Sequence, residues 1–204
     1  MGKHDKKRAD SGVGLADPTR LKQFTKRAEE NATGSAKKGE ELLQVIIETP
    51  KGCRNKYSFD PEQKIYVLKS ALPAGMCFPY DFGFVPRTIA GDGDPLDVLV
   101  LMDQPAFPGC ALMARIIGVI EGEQTSSKGT NRNDRLVAVA ETARTYDHIK
   151  SLKDLPKQAF REVEEFFVNY HRLQGKTYKL LGCRGQQAAE KLIKTASRAA
   201  SKIA

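Results

Sequence analysis

Three aspartates, Asp92, Asp94 and Asp97, fall within six residues of the stretch AGDGDPLDVLVLMD, which runs from Ala90 to Asp103. Two unit charges about 5 Å apart at an effective dielectric near 20 repel by roughly 3 kcal/mol, while a whole domain is stable by only about 5–15 kcal/mol. A cluster of this kind is tolerated when its carboxylates spread into water, take up protons or share a cation. Oxygen ligands without His or Cys suit a hard ion, Mg2+ or Mn2+. Asp92 and Asp94 are two positions apart, so in extended chain both side chains point the same way. Pro95 biases Asp94 toward extended backbone, and Asp97 opens the apolar run Val98–Leu101. All three are therefore expected at one mouth of a folded core. A solvated acidic turn accounts for the same spacing, because Asp-Gly and Asp-Pro are common turn pairs. An EF-hand loop does not, since its sixth-position Gly and twelfth-position Glu are missing.

The elements that must position this loop alternate with turn residues. LLQVIIE from Leu42, Tyr57–Phe59, Ile65–Leu68, Val98–Leu101, Ala111–Ile120 and Leu136–Ala140 read as strands. Asp60-Pro61-Glu62-Gln63 reads as a turn, and Pro79, Gly83, Pro86, Pro105, Pro108 and Gly109 punctuate the gaps. Short strands at such spacing predict a small barrel or sandwich. The C-terminal third reads as helical. Leu155, Phe160, Val163, Phe166, Phe167, Tyr170 and Leu173 share one helical face, Pro156 fits the first turn and Gly175 ends the helix. A weaker Ala/Lys-rich helix is expected over Gln187–Ile203, and a short one over 18–30. SGVGLAD at 11–17 lacks the third glycine and the preceding strand of a dinucleotide loop. The fold class is α+β, a β-barrel with flanking helices.

The chain has 204 residues, 40% hydrophobic and 28% charged, which fits one globular domain. Three regions are expected: a basic, mostly disordered extension over 1–40, a body over 41–183, and a basic helix or tail over 184–204. The net charge of +8 divides as +4 on each end and zero on the body. A solvated or weakly anion-attracting pair of ends accounts for it better than a nucleic-acid face, which needs interleaved basic and aromatic residues. No apolar run approaches a membrane span, and no apolar stretch follows the basic N-terminus, so the cytoplasm is the default location. Cys53, Cys77, Cys110 and Cys183 lack zinc-site spacing and are expected to be reduced thiols.

DGDPLDVLVL resembles the signature of the family I soluble inorganic pyrophosphatases, in which Asp-x-Asp-Pro-x-Asp precedes a strand. VIIETPKGCRNKYSFD is similar to the family's opening strands, with Glu48 and the Lys56-Tyr57 pair in place. LPAGMCFPYDFGFVPRT, DRLVAVA, YDHIKSLKDLP and FFVNYHRLQGK match in order and spacing, from about Leu42 to Gly182. The resemblance implies an OB-like five-stranded β-barrel that binds several Mg2+ ions and hydrolyses pyrophosphate to two phosphates. It implies metal ligands at Asp92, Asp97 and Asp94, with Asp94 also activating the attacking water. It implies phosphate contacts at Lys56, Lys69, Arg135 and Tyr170, and a homo-oligomer. Taken alone, Lys56 reads as an exposed strand residue and Tyr170 as the wet edge of a core helix.

Several positions depart from the family pattern. Ser58 replaces a glutamate, Lys69 an arginine, Phe78 and Phe82 two tyrosines, and His171 a lysine. In EGEQTSSKGTNRNDRLVAVA, Asn133 takes the place of one metal-binding aspartate and Arg135 that of a lysine. The other aspartate falls near Glu123 or Gln124, blurred by an insertion, and Asp134 or Glu123 is a candidate substitute. ETPKG, DFGF, EQT and NDRL together are similar to a divergent branch of the family. A second reading is therefore a weakened relative that binds phosphate or metal without efficient turnover.

Overall fold

The computed structural model describes residues 17–20, 25–27 and 41–202. A strand β1 (Thr25–Arg27) lies antiparallel on β2 (Glu41–Thr49). β3 (Asn55–Asp60) and β4 (Ile65–Ala71) form a separate hairpin, in which the Asp60 carboxylate accepts the Glu62 and Gln63 N–H groups at 2.9 and 3.0 Å. β5 (Asp81–Phe84), β6 (Asp97–Leu101), the long β7 (Ala111–Ser126), β8 (Gly129–Arg132) and β9 (Arg135–Ala140) follow. The chain ends with α1 (Lys157–Arg172), β10 (Thr177–Gly185) and α2 (Gln186–Ser201).

Five strands close a ring. β2 pairs β5, β5 pairs β6, β6 pairs β9, β9 pairs β7, and β7 returns to β2. This is the expected five-stranded OB-like arrangement. β6 and β9 are parallel and the other ring pairs antiparallel. β9 is buried at every position and β6 at all but Asp97, which is why DVLVL and RLVAVA read as apolar runs rather than alternating ones. α1 covers the ring with Val163, Phe166 and Phe167, and α2 lies on β7 with Ala189 and Ala196 buried.

Four parts of the chain differ from expectation. DFGF is strand β5, not a gap: Gly83 pairs Val98 on one side and Ile47 on the other. Its missing side chain lets the Ile46 backbone approach, since a Cβ there would meet the Ile46 carbonyl. β7 runs six residues past its expected end and turns into β8, and Thr125 and Thr130 bond across that hairpin at 2.9 Å. β10 separates the two C-terminal helices and pairs with β7. Over 18–30, the described residues form a 3-10 turn at Pro18–Arg20 and strand β1, not a helix. A polar strand with no alternation takes its conformation from the edge of β2.

Gly83→Ala should destabilise the protein by about 2–4 kcal/mol, because the added methyl meets backbone that cannot rotate away. Urea unfolding of the two proteins measures this; an unchanged midpoint would show that the ring yields at β5.

Candidate active site

A cleft of about 1060 Å³ opens at an end of the ring and receives residues from all five ring strands, β3 and both helices. β2 supplies Glu48 and β3 supplies Lys56 and Ser58. The loop before β6 supplies Asp92 and Asp94, and the first residues of β6 and β9 are Asp97 and Arg135. Gln124, Asn133, Tyr170, His171 and Lys176 line the opposite side.

The aspartate loop is a tight turn rather than the expected extended chain. The Ala90 N–H donates to the Asp94 carbonyl at 2.7 Å, Gly93 sits at φ 93°, and the Asp94 N–H donates to Asp92 Oδ1 at 3.3 Å. Both carboxylates still line the cleft, because the turn is short enough to keep them on one side.

Asp97 and Arg135 lie directly opposite each other in the parallel β6–β9 register. Arg135 Nε is 3.7 Å from Asp97 Oδ2, and Arg135 NH1 donates to the Asn133 carbonyl at 3.2 Å. The guanidinium stacks on Phe167 at 3.8 Å and reaches Tyr178 at 4.9 Å. It is buried, and its Nε has no hydrogen-bond acceptor. Burial pushes the Asp97 carboxyl up to about 6 against the pull of Arg135 and Lys56, with Glu48 and Asp92 adding to the rise. Burial, then the Asp92 charge, also raises Asp94.

Lys56 Nζ donates to Glu48 Oε2 at 3.1 Å and sits over the Phe82 ring at 4.3 Å. Phe82 thus offers Lys56 a ring face where the family pattern offers a hydroxyl. Glu48 is heavily engaged: its Oε1 accepts Ser58 Oγ at 3.2 Å and the Phe59 N–H at 3.1 Å. These bonds clamp β3 onto β2 and aim Lys56. Phe78, the other departure from tyrosine, is buried against Phe82, Phe166 and Tyr170. Tyr170 is half-buried and lines the cleft as expected.

His171 is not a cation. Its Nδ1 lies 2.7 Å from the Phe167 carbonyl, its ring stacks on Tyr178, and burial followed by Arg135 lowers its pKa to about 4. The charge missing here is supplied by Lys176, which lines the cleft and draws down the Asp94 pKa. Its place just after Gly175 was the available sequence signal.

Asn133 and Gln124 face the cleft together, with Asn133 Nδ2 donating to Gln124 Oε1 at 2.9 Å. Glu123 is off the cleft lining, because alternation along β7 turns it away from Gln124. Asp134 is also off it: Asp134 accepts the Gly122 N–H at 3.0 Å and pairs with Arg132 at 2.8 Å. Lys69 is exposed on β4 where the β3–β4 register slips, and does not line the cleft.

The donor set fits a hard divalent ion. It is all oxygen, and the raised Asp94 and Asp97 are the groups a cation would relieve. Among the described residues no three acidic, His or Cys side chains close into a ready-made cage. Mg2+ does not require one, since it keeps several waters and binds through one or two carboxylates together with substrate phosphates.

A five-stranded ring with an acidic loop and a cationic wall facing one cleft defines a barrel protein built to hold a multiply charged anion beside cations. The inorganic pyrophosphatase family model matches residues 45–201. An inorganic pyrophosphatase of Synechocystis is 40% identical over 152 residues, 74% of this chain and 88% of the relative. That of Geobacillus stearothermophilus is 36% identical over 152 residues, 74% and 90% of the two chains. The crystal structure of the Thermus thermophilus inorganic pyrophosphatase superposes with a TM-score of 0.78 at 31% identity, covering 91% of this chain and 99% of that one. The chain belongs to the inorganic pyrophosphatase family.

The raised Asp97 pKa has a definite sign. A carboxyl that holds its proton more tightly when folded stabilises the fold below its unfolded pKa of about 4, and that stability is lost as pH rises through about 6. In chelator, Asp97→Asn should therefore be more stable than wild type above pH 6, by about 1–2 kcal/mol after allowing for its contact with cleft water, and equal to it near pH 4. Denaturant unfolding across this range tests it. A less stable variant at pH 7.5 would mean that the Arg135 pair outweighs burial.

Proposed function

We propose that this chain hydrolyses inorganic pyrophosphate to two phosphates in a metal-dependent reaction, with Mg2+ as the ion and Mn2+ as a substitute. The carrying observation is the side-by-side placement of Asp97 and Arg135 at the mouth of the ring, facing the Asp92–Asp94 loop. Asp92 and Asp97 would hold metal. When bound, the ion lowers the pKa of an attached water and neutralises phosphate charge. Asp94 is open to the cleft and, with its pKa raised, is the group to take the proton of the attacking water. Arg135, which borders the cleft beside Asp97, and Lys56 clamp phosphoryl oxygens. Tyr170 and Lys176 border the same substrate. Glu48 acts through Lys56, and the Gln124–Asn133 amide pair offers neutral oxygen at most. Binding without turnover has no observation in its favour.

We further infer a homo-oligomer working in the cytoplasm. No helix among the described residues is long and apolar enough to cross a membrane.

Phosphate release from pyrophosphate with Mg2+ tests the reading. Asp94→Asn should lower kcat by about 10²–10⁴ while the fold is kept, as expected on removing a general base. Absence of release by wild type across a series of Mg2+ and Mn2+ concentrations would remove the reading.

A further inference from the structure

The cleft contains two arginines that the roles above leave unused: Arg20, which pairs with Asp17 at 3.5 Å, and Arg87. Arg87 lines it, is exposed, and forms no ion pair among the described residues. Lys56 and Arg135 both face acid partners. Arg87 also has an unusual backbone, with φ at 53°. Lys64, the other non-glycine residue with positive φ, is in the exposed loop of the β3–β4 hairpin, where tight reversal accounts for it. Arg87 follows Pro86 in the turn after β5, at a place where Gly or Asn would take positive φ more readily. Backbone held in such a region collects at ligand-binding positions.

The turn is fixed from both sides. The Arg87 N–H donates to the Thr19 carbonyl at 2.9 Å. Thr88 Oγ1 donates to the Val85 carbonyl at 2.6 Å and accepts the Leu96 N–H at 2.9 Å. Through Leu96, the Arg87 backbone is tied to the segment that carries Asp94 and Asp97. Thr19 and Arg20, upstream of the residues the family model matches, line the same rim. So do Ala200 and Ser201 at the end of α2, and none of these four brings a carboxylate. The rim thus offers an unneutralised guanidinium on an anchored turn, aimed at a cleft whose aspartates would carry the cations. A planar guanidinium suits a phosphoryl group because it donates two parallel hydrogen bonds.

We propose that Arg87 is a substrate-binding residue that docks a phosphoryl group at the mouth of the cleft, held there by the Thr19 carbonyl. The proposal rests on the pyrophosphatase reading for the identity of the anion. The test uses the full chain with Arg87→Gln, Arg87→Lys and Arg87→Gly, assayed on pyrophosphate with Mg2+ and melted with and without inorganic phosphate. Arg87→Gln should raise KM about tenfold, the effect of losing one charge-assisted contact, with a much smaller change in kcat. Arg87→Lys should recover part of that loss. Arg87→Gly should lose affinity to the same degree yet melt higher than wild type, because glycine relaxes the turn. A purely structural arginine cannot raise both KM and the melting temperature when replaced by glycine. An unchanged KM in Arg87→Gln, or a lowered melting temperature in Arg87→Gly, would overturn the proposal. If wild type releases no phosphate, the pyrophosphatase reading falls by itself, and the melts still decide Arg87. Phosphate should raise the melting temperature of wild type and not of Arg87→Gln; an equal rise in both would overturn the assignment.

Discussion

The parallel pairing of β6 with β9 sets Asp97 beside Arg135 because each is the first residue of its strand. In an antiparallel pair the first residue of one strand faces the last of the other, and acid and base would lie at opposite ends of the ring. Here both reach the same mouth, and neighbouring elements are shaped around the result. α1 supplies Phe167 to one face of the guanidinium, and β10 supplies Tyr178. Tyr178 fits only because Gly122 of β7 leaves room, since a Cβ there would meet the phenol oxygen. A buried pair of this kind adds little net stability, as desolvation offsets most of its attraction. Its effect is to fix the direction of a cation that still has donors to give.

The remaining charges follow from what is already paired. Glu48 and Lys56 neutralise each other, and hydrogen bonds from Ser58 and Phe59 hold the Glu48 carboxylate against β3 at the cleft wall. His171 is neutral and Asn133 bonds Gln124, so these cleft positions bring no charge where the resembled pattern has a lysine and aspartates. The loop aspartates Asp92 and Asp94 and the cations Lys176 and Arg87 have no ion-pair partner among the described residues. The active electrostatics of the site therefore reside in a few groups around its open side, while its floor is compensated.

The aspartates were legible because their spacing and the apolar run behind them are local features, and so was the face of α1. A small barrel was legible from the spacing of short strands, but its five-stranded OB-like form only through family resemblance, since strand pairing joins residues far apart in sequence. DFGF was misread because Gly83 and Pro86 carry turn signals, whereas the reason for Gly83 is contact with the Ile46 backbone. Glu123 and Gln124 could not be told apart by alignment across an insertion. The β7–β8 register decides it, because a shift of one residue exchanges the faces of a strand. Lys69 lies off the cleft lining for a related reason, as the β3–β4 pairing slips at its position.

A small part of the terminal basic charge has a definite place in the fold. The body from 41 to 183 is neutral, and each end carries +4. Asp17–Arg20 and the last turn of α2 both reach the cleft rim, where Ile89 also bonds Ala196 of that helix at 3.1 Å. The exposed Arg20, Arg198 and Lys202 lie at or within a few residues of cleft-lining positions. At physiological ionic strength a charge is felt over about 8 Å, so these groups act on an anion nearing the rim rather than on the aspartates deeper in. The charge placed at the rim by the described residues is thus that of Arg198 and Lys202 near the end of α2, since Arg20 there is paired with Asp17 at 3.5 Å.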